Sequence, residues 1–176
     1  MDPIVSLIAG FAEACSAAVT PRAIADALCE RLVQHFPSSS ALVFEREAGR
    51  AAARVVAGAN IPSAWAQRAV ALRDVPLLTE ALDAPERVHV RADYSRNTLD
   101  AGQSLPITSL EAICAAVPDA GSSQYVFLFL VPPSATDGAT RRAAVDAVRQ
   151  LIAAGIGVSA GDSERAVTIS RVYNAK

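Results

Sequence analysis

The sequence predicts an α+β domain built around an antiparallel β-sheet, and three observations carry that prediction. Helical periodicity occupies both ends of the chain: Ile4, Leu7, Ile8, Phe11 and Cys15 near the start, and Ala144, Ala147, Val148, Leu151 and Ala154 near the close. Between these ends lie two segments that read as hairpins, and strands joined by a short turn run antiparallel. The run "YVFLFLV", Tyr125 to Val131, is apolar at every position. Such a strand belongs in mid-sheet with something covering each face.

The first helix is expected over about Ile4 to Val19. A second follows in "TPRAIADALCERLVQHFP". Thr20 can cap it, Pro21 suits its first position, Pro37 ends it, and Ile24, Leu28, Leu32 and Phe36 form its buried stripe. Short strands at about Ala41 to Glu45 and Ala51 to Ala57 flank the turn "REAGR", where Gly49 can take positive φ. "IPSAWAQRAVAL" and "VPLLTEAL" read as short helices, each opened near a proline. "RVHVRAD" sets Val88 and Val90 against His89 and Arg91, the pattern of a half-exposed strand. After the polar loop "YSRNTLDAGQSLPITS", the hairpin "LEAICAAVPDAGSSQYVFLFLVPP" leads to a long helix from about Gly138 to Val158.

Composition narrows the function classes. With 176 residues, 52% apolar and 19% charged, the chain can bury a real core as one domain, or as one domain with an appended helix. A net charge of −2 offers nucleic acid no basic field. The longest apolar run falls far short of the roughly 20 residues that cross a bilayer, and "MDPIVSLIAG" has no basic leader region. A cytoplasmic protein without membrane contact is expected. Cys15, Cys29 and Cys114 sit in apolar settings with no CxxC or Cys/His cluster, which points to buried thiols and no metal. A glycine-rich phosphate loop and a nucleophile elbow are both missing, so no catalytic residue is assigned.

Candidate binding residues gather in the middle of the chain. On a strand, Arg87, His89 and Arg91 share a face. They could hold a carboxylate or phosphate, or simply form a solvated surface. Tyr94, Arg96 and Asn97 follow and could close over a ligand. Trp65 either roofs a pocket or plugs the core. Cys114 alternates with Leu110, Ala112 and Ala116, small side chains that permit close helix packing or leave room for a ligand. Near the close, Val145, Val148, Ile152, Gly155, Ser159, Asp162, Ala166, Ile169 and Tyr173 step by three and four, as a coiled-coil seam does. Val148, Ile152, Ile169 and Tyr173 are its expected dimer and signalling contacts. Gly155, Gly157 and Gly161 leave open two helices with an irregular joint. The amphipathic end predicts a helix that runs on into a further module.

The element order resembles that of GAF domains, the small-molecule sensory modules of bacterial signalling proteins. The phrases that carry the likeness are "VPLLTEALDAPERVHVRADYS", "ITSLEAICAAVPD" and "YVFLFLVPP" followed by a long helix, within a match from about Ile4 to Val158. Tyr125 departs from the small residue that often opens the family's final strand, and "SATDGAT" replaces a common Phe/Asp pair. The resemblance implies N- and C-terminal helices on one face of the sheet. On the other face, short helices and loops would roof a pocket lined by Trp65, His89, Arg91, Tyr94, Arg96, Asn97 and Cys114. It implies a sensory domain over 1–160, with 161–176 starting a connecting helix. "ISRVYNAK" resembles the segment through which histidine-kinase sensors run into a PAS or kinase module. Residues 94–108 lack the cysteine that bilin-carrying relatives use, so no covalent bilin is expected. The implied function is a non-catalytic, homodimeric sensor of an unknown small molecule. The alternative is a ligandless dimerisation or interaction module whose pocket Trp65 and its neighbours fill.

Overall fold

Local chemistry accounts for the helix that opens the fold's first well-punctuated segment. Thr20 is extended, and its hydroxyl accepts from the Ala23 amide at 3.1 Å, while Pro21 supplies a preset φ at the first helical position. At the far end the Phe36 amide closes on the Leu32 carbonyl at 3.0 Å, and Pro37 cannot continue the ladder. This helix is α2, Pro21–His35; α1, Pro3–Ala17, precedes it and packs on it through Leu7 and Phe11. The computed structural model describes residues 3–17, 20–47, 49–66, 68–94, 110–117, 123–132 and 138–153.

Among the described residues six strands follow: β1 Ser40–Glu47, β2 Ala52–Ala59, β3 Ala69–Ala71, β4 Val88–Tyr94, β5 Leu110–Val117 and β6 Ser123–Val131. They form one sheet in the order β3-β2-β1-β6-β5-β4, and every pair is antiparallel. Gly49 takes φ 78° at the β1–β2 turn, the left-handed conformation that the turn asks of it. The apolar run of β6 lies between β1 and β5, as a two-faced apolar strand must. Its Phe127, Phe129 and Val131 enter one core and its Val126, Leu128 and Leu130 the other.

The first core holds α1, α2 and α4 (residues 138–153) against one face of the sheet. The second lies under α3, Pro76–Asp83, and two 3₁₀ turns at Ser63–Trp65 and Leu72–Asp74. The α+β layering with terminal helices on one face and short helices on the other is therefore present. Two details differ from expectation. "IPSAWAQRAVAL" is not a helix: after the turn at Trp65, Ala69–Ala71 pairs with β2, Arg54 opposite Ala69. One valine between two alanines carries little strand signal, and the edge of β2 decides the conformation of this segment. Val148 and Ile152, expected on a dimer seam, are 0% and 1% exposed and pack within the chain's own helical core. Ile169 and Tyr173 lie outside the described residues.

Candidate functional site

Strand β4 brings its polar residues to the face that α3 covers. Val88 and Val90 pack toward the helical core, which turns His89 and Arg91 the other way. His89 stands opposite Cys114, and Cys114 opposite Leu128, so all three point toward α3. Between Arg91 and Tyr94 the register slips. This bulge re-aims Tyr94, which pairs with Leu110 and packs on the same apolar cluster as Cys114 and Trp65. Arg96 and Asn97 lie outside the described residues.

The polar groups on this face are held by their own surroundings. A guanidinium nitrogen of Arg91 pairs with Glu80 Oε2 of α3, and another donates to the Val90 carbonyl at 3.2 Å. His89 Nε2 lies 3.2 Å from the Ala84 carbonyl; a carbonyl only accepts, so Nε2 carries the proton. Arg87 precedes β4, sits in the turn and pairs with Glu86 at 3.7 Å on an exposed surface. Arg87, His89 and Arg91 therefore do not converge on one open point. Two of them brace α3 and the turn after it against β4.

Trp65 and Cys114 belong to the interior. Trp65 is 2% exposed, wedged in the cluster that includes Leu42, Phe44, Leu72 and Leu78. Its carbonyl accepts from the Arg68 amide at 3.1 Å. Cys114 is fully buried, and burial, reinforced by the Glu80 carboxylate, pushes its thiol far above the usual range. Such a thiol is inert packing rather than a nucleophile. Among the described residues no three His, Cys, Asp or Glu side chains gather as a metal site would need. A cleft of about 230 Å³ opens elsewhere, between Arg22 and Asp26 of α2 and Gly58, Ile61 and Ser63.

Two arginines of α4 were not singled out from the sequence, and both are buried. The Arg141 guanidinium grips Glu111 of β5 through Nε to Oε1 at 2.9 Å and Nη2 to Oε2 at 3.1 Å. Arg149 donates to Asp146 Oδ1 at 2.7 Å and to the carbonyls of Pro85 at 2.8 Å, Glu86 at 3.3 Å and Ala116 at 3.5 Å. The signal was available: both fall on the stripe of Ala144, Val145, Val148 and Ile152, where a charged residue must find partners on entering the core.

With that geometry in view, likeness to solved structures identifies the fold. The GAF domain of an Acinetobacter phosphoenolpyruvate-protein phosphotransferase superposes with a TM-score of 0.66 over 92% of this chain and 96% of that one, at 8% identity. The GAF domain of A. aeolicus nlh2 in an inactive state gives 0.67 over 89% and 97%, at 9% identity. The R. palustris bacteriophytochrome RpBphP3 gives 0.70 over 99% of this chain and 41% of its own, at 13% identity. No family model and no curated protein matches the sequence. The chain has the GAF fold, with its six-stranded antiparallel sheet. Among the described residues no helix is long and apolar enough to cross a membrane.

Proposed function

We propose that this GAF-fold chain is a regulatory sensory domain of a multidomain bacterial signalling protein. In this reading a small polar molecule binds at the rim formed by His89, Arg91 and Tyr94, with Arg96 and Asn97 completing it. Occupancy passes through α4 to a following PAS or kinase module of a homodimeric, cytoplasmic histidine kinase. The role asks no covalent chemistry of the chain. One observation supports the reading above the others: the bulge in β4 collects a cation, an imidazole and a phenol on the α3 face, while α4 lies across the opposite face. A ligand and an output helix would then share one sheet.

The test is a thermal-shift screen of metabolites and nucleotides against purified protein. A ligand that binds only the folded state raises Tm, by about 2.7 kcal/mol of stabilisation at a hundredfold excess over Kd. Arg91→Ala is expected to abolish the shift of any hit while the protein stays folded. A second reading has its own support in the packing of Trp65, Leu78 and Cys114, all nearly inaccessible. It makes the chain a ligandless interaction module. A screen in which no compound moves Tm, on protein that still self-associates, decides for that module and against the sensor.

A further inference from the structure

The turn between α3 and β4 touches both layers of the molecule. The Ala84 carbonyl takes the His89 ring on the α3 face, while the next two carbonyls, of Pro85 and Glu86, take Arg149 of α4. The same turn is tied back to α3, where the Ala84 amide donates to the Glu80 carbonyl at 3.1 Å, and Glu80 holds Arg91. Arg149 is only 8% exposed, so its acceptors are not readily replaced by water. A guanidinium presents its donors in a rigid planar fork, and carbonyls that shift must carry the fork with them.

We infer that the Ala84–Pro85–Glu86 turn is a mechanical link between the α3/β4 face and α4, with Arg149 as the positioning residue that receives its movement. Arg141 fixes the direction of the response. It pins the first turn of α4 to Glu111, 8 residues before Arg149, a lever of about 12 Å at helical rise. Displacement at Arg149 then tilts α4 about its N-terminal anchor rather than sliding it. The use of this link in signalling rests on the sensory reading, but the link itself belongs to the fold and needs no ligand to be detected.

The experiment is a double-mutant cycle read by amide hydrogen exchange on the full chain. Pro85→Gly loosens an exposed turn position without touching either core. In the wild-type background it is expected to speed exchange in 138–153 by about five- to tenfold, and in β4 as well, the scale of a modest coupling. In an Arg149→Met background the effect on β4 persists and the effect on 138–153 disappears. Arg149→Lys runs the same cycle should the methionine variant not fold: it keeps the charge beside Asp146 but cannot span the carbonyls, so it too uncouples α4. Equal acceleration of α4 in all backgrounds overturns the inference. So does an α4 that ignores Pro85→Gly in the wild-type protein. A metabolite screen without hits would sink the sensor and leave this result standing.

Discussion

Trp65 is the residue on which the α3 face turns. At 2% exposure it is buried in the cluster that also holds Leu42, Phe44, Leu72 and Leu78, so Trp65→Ala is expected to cost about 3–5 kcal/mol in a urea titration followed by circular dichroism. A cost under about 1 kcal/mol would show a side chain bordering open space. The thiols make a second prediction, in alkali. Burial raises Cys29 and Cys114 far above their ordinary range, with the Asp26 and Glu30 carboxylates adding at Cys29 and Glu80 at Cys114. In the unfolded chain these thiols ionise near about 8.5, while the native state keeps its protons. Their contribution is whole below that pH and is lost as pH rises above it, by up to about 1.4 kcal/mol per unit for each thiol. The urea midpoint is therefore expected to fall from pH 8 to pH 10, and less steeply in the Cys29→Ala/Cys114→Ala double variant. Parallel slopes would remove the thiols from the account.

At the scale of elements, α4 is fastened by charge as well as by apolar contact. Arg141 and Glu111 are 6% and 17% exposed, so removing either one breaks a charge pair in a poorly solvated place. Arg141→Met or Glu111→Gln alone is expected to cost about 3–5 kcal/mol in denaturation experiments. Making Arg141→Met together with Glu111→Leu is expected to restore most of it. If the single and double variants are equally destabilised, the pair is not what fastens the helix. The elements also mark where sequence is informative. Thr20, Pro21 and Pro37 bound α2 because capping and proline geometry act within one turn of chain, and Pro76 announces α3 in the same way. Strand β3 was illegible because three residues become a strand only by leaning on β2. In the candidate site, the shared face of His89 and Arg91 followed from strand alternation. The turning of Tyr94 onto that face did not, since a bulge is set by the partner strand. The apolar stripe of α4 marks Arg149 as a charge that enters the core, but its acceptors at Pro85, Glu86 and Ala116 are backbone atoms, which no side-chain pattern reports.

Over the whole molecule, one sheet separates two apolar cores, and the proposed dimer must use surface that neither core consumes. Val148 and Ile152 are spent inside, whereas Val5 and Ile8 of α1 are 55% and 44% exposed, one helical turn apart. The N-terminal helix is thus the better partner for a second copy. Val5→Asp with Ile8→Asp is expected to leave the fold intact and to shift sedimentation toward the monomer; an unchanged sedimentation coefficient would place the contact elsewhere. The strand order carries a consequence for synthesis. β1 and β6 are neighbours in the sheet, yet Ser40–Glu47 leaves the ribosome long before Ser123–Val131. Until β6 arrives, a nascent chain carries β1 with one hydrogen-bonding edge bare, a template for wrong pairing. Newborn copies stalled short of Ser123 are accordingly the ones that would clump or call on a chaperone.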